Sequence, residues 1–413
     1  MGSLRPAALV LVGMSLVAAC GGGRTATPSP EGSPVSPSSA PGRTARESPS
    51  PSGAPTGEVT ASAAWKTAEP AALSGSSALL DVTTAGPREA WAVGYQLSAE
   101  DREGAPAVVR WDGTGWHAVP GLTDRDVYHL TGVSASGPGD VWVAGNGASA
   151  FAARWDGRRW TALRPFGVAE DYRLTDVAAA DGTDTTGKEA WFTGNGPAGG
   201  VLLEWVGGEF GNVLNEDGGT FEAITAREGN VWAVGSDKEH TPLVWHGDSG
   251  NWEKMETPAV RGGTLRQVWQ VSPSDVWAVG EVAAESGGTG QGAAERRRAQ
   301  PLVLHWDGTR WTRVEVPVAR GTLHGVTASG PGDLWISGID ADHPGQVLFL
   351  HFDGTRWSRE YGPLFRTHRQ DQQYEESDDV NRVGITWVPS ATTLWAVGSV
   401  GVGDDEDDFV LRR

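Results

Sequence analysis

Leu130-Thr131-Gly132-Val133, Ser136-Gly137-Pro138-Gly139-Asp140 and Val141-Trp142-Val143-Ala144-Gly145 read in order as an apolar strand, a tight turn and a second strand that carries tryptophan and closes on glycine. Gly and Pro in such density leave the middle segment few conformations other than a turn. The second strand recurs as Ala90-Trp91-Ala92-Val93-Gly94, with further copies centred on Trp191, Trp232, Trp277, Trp335 and Trp395. The first strand recurs as Leu265-Arg266-Gln267-Val268 and Leu323-His324-Gly325-Val326. Seven copies are present, with their tryptophans 51, 49, 41, 45, 58 and 60 residues apart.

A third strand and a hairpin follow each pair, most clearly in Arg110-Trp111-Asp112-Gly113-Thr114-Gly115-Trp116 and His305-Trp306-Asp307-Gly308-Thr309-Arg310-Trp311. Asp-Gly between β-rich runs is a strong hairpin signal, because both residues tolerate positive φ. A fourth strand starts at the second Trp of the hairpin and ends on Pro, as at 160–165, 311–317 and 357–363. Proline suits an outer edge, where it costs no ladder bond. Each repeat is therefore four antiparallel strands, A to D from inside to outside. Repeats of about 40–50 residues with this content form propeller blades, and each blade buries its faces only against its neighbours. The expected fold is all-β: a seven-bladed β-propeller of four-stranded antiparallel blades. The seventh copy ends after its third strand, at Phe409-Val410-Leu411. Ala64-Trp65-Lys66-Thr67-Ala68-Glu69-Pro70 matches strand D and precedes the first strand A. An N-terminal strand is thus expected to complete the last blade and remove an open sheet edge.

The repeats resemble the Trp-rich propeller repeats of secreted bacterial proteins, in the neighbourhood of the BNR or Asp-box group. The resemblance spans almost all of 59–413. It departs from the Asp-box proper in the spacing of Asp307-Gly308-Thr309-Arg310-Trp311, and it is similar to WD40 blades in the Trp-Asp pair but lacks a matching Gly-His pair. Asp-box propellers can carry glycoside hydrolase or lyase activity, so the resemblance implies that alternative.

The N-terminus reads as an address. Arg5 supplies a positive charge, residues 7–17 are apolar but too short for a membrane span, and Val17-Ala18-Ala19-Cys20 resembles the bacterial lipobox. Residues 1–20 are read as a lipoprotein signal peptide. By that resemblance Cys20, the sole cysteine, is the lipid-attachment residue and the new N-terminus. Acyl chains anchor by burying CH₂ groups at roughly 0.8 kcal/mol each. Residues 21–58 hold mostly Gly, Ser, Pro, Thr and Ala. They bury too little to offset ordering entropy, and read as a disordered tether. Residues 59–413 form the propeller. The expected location is the outer face of the cytoplasmic membrane or the cell surface.

The chain has 52 acidic and 33 basic residues, a net charge of −19. That charge gives no attraction to nucleic acid phosphates or anionic lipid. The expectation is a monomer that meets the membrane only through its lipid. B–C and D–A connections are long and varied, whereas A–B and C–D turns are short. Binding residues concentrate on varied loops over a rigid scaffold, so the B–C and D–A face is the expected docking surface for a protein, a peptide or a glycan. The nominated ligand-binding residues are Asp81, Asp176, Glu222, Arg266 and His324, near the inner start of strand A, with Tyr128 and Tyr172 just before it. Asp112, Asp156, Asp307 and Asp353 read as turn residues, and His305 and His351 as structural neighbours of the hairpins. The acidic run 404–408 is placed in the seventh B–C loop. It lacks the alternating ligands and turn glycine of an EF-hand. No cofactor, metal or catalytic residue is assigned.

Overall fold

In the computed structural model, the described residues are 59–61, 64–68, 73, 75–97, 104–122, 126–165, 171–180, 188–248, 250–284, 298–365, 379–402 and 405–413. The signal, Cys20 and the tether lie outside them. Two short strands come first, β1 (Val59–Ala61) and β2 (Lys66–Thr67). Blade one follows with β3 (Ser76–Gly86), β4 (Glu89–Leu97), β5 (Ala105–Trp111) and β6 (Trp116–Ala118). Blade two holds β7 (Val127–Gly137), β8 (Asp140–Gly147), β9 (Ala150–Trp155) and β10 (Trp160–Leu163). Blade three holds β11 (Arg173–Ala179), β12 (Lys188–Gly196), β13 (Gly199–Val206) and β14 (Glu209–Asp217). Blade four holds β15 (Thr220–Arg227), β16 (Asn230–Ser236), β17 (Pro242–Asp248) and β18 (Asn251–Lys254). Blade five holds β19 (Gly263–Ser272), β20 (Asp275–Val282), β21 (Gln300–Trp306) and β22 (Trp311–Arg313). Blade six holds β23 (Gly321–Gly330), β24 (Asp333–Asp340), β25 (Gln346–Phe352) and β26 (Trp357–Leu364). Blade seven holds β27 (Val380–Trp387), β28 (Leu394–Val402) and β29 (Asp405–Arg412).

Within each blade the strands run in sequence order from inner to outer, apart from the N-terminal β1 and β2 added at two outer edges, and each inner strand packs on the next one round. β27 packs on β3, so the ring closes. The seventh blade takes its fourth strand from the N-terminus, as the sequence implied: β2 pairs antiparallel with β29, Lys66 opposite Arg412 and Thr67 opposite Leu411. A further strand was not foreseen. β1 adds in parallel to the outside of β26, Val59 opposite Arg359.

The repeated Trp explains why seven sheets become one body. Each second-strand Trp leaves its own blade and enters the aromatic pair of the next blade's hairpin. Trp91 meets Trp155 and Trp160 at 5.6 and 5.8 Å, Trp232 meets Trp306 and Trp311, and Trp395 meets Trp111 and Trp116. Trp335 meets Trp65 at 6.1 Å, and Trp65 also stacks on Phe349 at 3.5 Å. Trp65 therefore fills in blade seven the place that Trp116 and Trp160 fill in theirs. Among the described residues each blade interface holds one apolar cluster of this kind.

The other face of each Trp is covered from the third strand. His305 stacks on Trp277 at 4.1 Å and His351 on Trp335 at 4.1 Å; Arg154 lies over Trp142 at 4.7 Å. In blades one, five and six an acid two residues before the Trp binds both partners. Asp275 accepts from Trp277 Nε1 at 2.8 Å and pairs with His305 Nε2 at 2.9 Å, and Asp333 does the same for Trp335 and His351. The histidines are thus structural, as expected. So are the hairpin aspartates. Asp307 Oδ1 accepts from the backbone N–H of Thr309 and Arg310, while Gly308 takes φ +90°. The Thr309 hydroxyl, which donates to the same oxygen, and these backbone donors hold its carboxyl below the usual carboxylate range.

Two expectations need correction. The acidic run is not a loop: Asp405 to Asp408 belong to β29, with Asp408 opposite Ser399. It is ordered because it makes the seam with blade one. Glu406 accepts from Tyr95 Oη and Asn381 Nδ2, and Ser77 Oγ donates to Asp408 Oδ1 at 2.7 Å. Nor are the A–B connections all alike. Most are as short as 87–88 and 138–139, but blade three uses 180–187 and blade seven 388–393.

Candidate functional site

The inner strands carry a bulge that the sequence pattern did not announce. In six blades the pairing slips by one residue opposite the glycine that closes the second strand, as at Leu79/Asp81, Leu174/Asp176 and Leu265/Gln267. A bulge re-aims side chains and tightens local twist. Glu222, Arg266 and His324 are bulged residues, and Asp81 and Asp176 follow their bulges directly. The nominated positions therefore share one level of the ring, but they do not form one site.

Most of them fasten blades together. Asp81 Oδ2 accepts from Val133 N at 2.9 Å, tying blade one to blade two. Asp176, 6 % exposed, accepts from Val177 N at 2.8 Å and from Ile224 N at 3.0 Å, tying blade three to blade four. Arg266 bridges Glu222 at 2.9 Å and Glu281 at 2.7 Å, tying blade four to blade five. His324 shares a hydrogen bond with Thr322 Oγ1 within its own strand. Tyr172 packs on the cluster between blades two and three, with its ring against Gly196. Tyr128 is half-buried beside Gly104 of blade one.

Asp81 and Asp176 do act on each other. Burial raises the carboxyl of Asp81 to about 6. Burial and the charge of Asp81 raise that of Asp176 well above its ordinary value. The guanidinium of Arg382, on β27, opposes both shifts. Sequence reasoning overlooked Arg382, because blade seven has its pairing slip earlier, between Val380 and Val383.

These two acids line the inner end of a cavity of about 760 Å³ in the central channel. Its walls are largely Val, Ala and Thr, and its rim holds Arg227, Glu228 and Ser390 at the A–B connections. It occupies the end of the channel opposite the B–C and D–A connections. Much of the latter set, including 285–297 and 366–378, falls outside the described residues. Two tryptophans break the small-residue wall: Trp269 on β19 and Trp387 on β27. A signal for them existed. Of the 20 tryptophans, these two lie on inner strands, where they also pack against the clusters between blades five and six and between blades six and seven, whereas the others lie on the second strands, the hairpins and the N-terminal segment. Trp387 is pinned on both sides, its N–H donating to Thr327 Oγ1 and its carbonyl accepting from Thr84 Oγ1. Gln270, 1 % exposed, donates through Nε2 to the Arg227 carbonyl, and its Oε1 has no hydrogen-bond partner among the described residues. Among the described residues no group of three or more His, Cys, Asp or Glu could hold a metal ion.

No family model and no curated protein matches the chain. Solved structures do. YCF48 bound to D1 peptide superposes with a TM-score of 0.53 at 15% identity, over 86% of this chain and 99% of that one. YCF48 from Cyanidioschyzon merolae gives 0.50 at 14%, over 85% and 98%. The RRP9 WD40 repeats give 0.52 at 13%, over 85% and 97%. At these identities the likeness is one of fold: the chain is a seven-bladed β-propeller similar to WD40 and YCF48 structures.

Proposed function

We propose that this protein is a lipid-anchored, extracytoplasmic binding scaffold that holds an extended peptide segment of a partner in the mouth of its channel. The observation that carries the reading is the pair Trp269 and Trp387, on inner strands at two neighbouring register positions that, Gln270 apart, hold Thr, Ser or Ala in the other blades, both lining an open cavity. Aromatic side chains supply large contact area at low entropy cost, which is why they dominate binding hot spots. A cavity of about 760 Å³ is of the size that ligand sites use. A structure similar in fold, YCF48, holds a D1 peptide. The sequence pointed to the B–C and D–A face. The described residues favour the other mouth.

Anchoring rests on the lipobox-like Val17-Ala18-Ala19-Cys20 and on the arithmetic of acyl burial. Two experiments test the reading. Cells fed an alkyne fatty acid should label the wild type in the membrane fraction, and Cys20→Ser should abolish both label and retention. A photo-crosslinker at Ser390, on the cavity rim, should capture a partner, and Trp387→Ala should reduce that capture at least tenfold. Unchanged capture would remove the cavity from the function.

A further inference from the structure

Resting on that reading, we infer that the segment enters the cavity with a basic side chain, Lys or Arg, directed at Asp81 and Asp176. The cavity is asymmetric in its chemistry. Its inner end presents two carboxylates, and one guanidinium, that of Arg382, acts on both. With both carboxyl groups ionised, the local charge is short of one cation. Burial and mutual repulsion raise both carboxyl groups, and a buried like-charge pair is relieved either by a proton or by a positive ligand. A second observation points the same way. The buried Oε1 of Gln270 is an acceptor without a donor in the wall of the same cavity. Such an acceptor costs free energy until a donor meets it. The carboxyl pair at one level and the donorless Oε1 of Gln270 at the other favour a donor-bearing cation; an acidic or purely apolar segment would neither relieve the repulsion of the pair nor meet that acceptor.

Geometry restricts how the charge arrives. Asp81 lies five residues above the end of β3 at Gly86, roughly 16 Å at about 3.3 Å per strand residue. No single side chain spans that depth, so the tip of the segment itself must enter. A Lys or Arg stem then runs along Val82, Val133 and Trp387, as long basic side chains do on apolar walls. Only the charged head meets the carboxylates.

The test is selection of displayed random heptapeptides on the immobilised full-length chain. Wild-type pools should be enriched at least threefold in Lys and Arg over the input library. Thr83→Arg places a guanidinium in the cavity without removing an interblade hydrogen bond, and should erase the enrichment. Asp81→Asn should do the same; melting curves decide which of the two is folded and scored. Enrichment that survives in the folded variant would show that the acidic outer surface selects the cations, and overturns the inference. Pools without basic bias, whose capture still needs Trp387, would overturn it while leaving the peptide-binding reading intact. Pools indifferent to Trp387→Ala would overturn both.

Discussion

Asp81 shows how one side chain can look like a site and act as a fastener. Its carboxylate ties two blades through Val133 N, yet burial lifts its pKa to about 6. The folded chain thus binds a proton more tightly than the unfolded one, where the group keeps its ordinary value near 3.8. Stability from this group is fully present below pH 4 and is lost as pH rises through about 6. Comparing urea unfolding at pH 4.5 and 7.5, Asp81→Asn should show a smaller loss than the wild type, by on the order of 2 kcal/mol. Asn keeps the acceptor for Val133, so an equal loss in both would mean that Asp81 does not titrate in this range. His305 is a purely structural case. It is 2 % exposed, stacked on Trp277 and bonded to Asp275. His305→Ala removes buried volume and one partner of a buried acid, and should cost about 2–4 kcal/mol in chemical denaturation. The sequence had already given both histidines their structural place, because they recur at one strand position.

At the scale of elements, the inner-strand bulge decides which glycines matter. At Gly132 a Cβ would sit 2.5 Å from Asp176 Oδ1 and 2.9 Å from its Cα. At Gly137, near the turn of the same strand pair, nothing lies within 4 Å. Gly132→Ala should therefore destabilise by about 1–3 kcal/mol, through strain and loss of the Asp176 strap. Gly137→Ala should be neutral or slightly stabilising. Thermal melts of the two variants separate a packing glycine from a turn glycine. The repeat displays both residues alike in sequence. Only the approach of blade three distinguishes them.

The whole molecule depends on its seam. Blade seven is closed by β2, by Trp65 against Phe349 and Trp335, and by Glu406 and Asp408 reaching blade one. Trp65 is 3 % exposed, and its Nε1 donates to Glu360 at 3.1 Å. Trp65→Ala should cost about 3–5 kcal/mol, as truncation of a buried aromatic does. Deleting 59–70 should lower the melting temperature far more than deleting 21–58. Equal effects would mean that the N-terminal strands do not close the ring.

The number of blades, the order of their strands and the borrowed strand were legible in the chain, because each blade repeats one local solution: Trp and Gly at fixed places, Asp-Gly in the hairpin, Pro at the edge. Local patterns of this kind arise from backbone and burial requirements that act within a few tens of residues. What the inner-strand residues do was not legible. Asp81 and Val133, Asp176 and Ile224, Glu222 and Arg266 are 44 to 52 residues apart. Their meeting depends on the angle between neighbouring blades, which no single repeat encodes. The acidic run was misplaced for the same reason: its charge suggests solvent, but Tyr95 and Ser77 meet it across the seam and Asn381 meets it from its own blade. Trp269 and Trp387 were visible as residues out of step with the repeat. Only the closed ring put them in one cavity, because only closure brings the inner strands around a common channel.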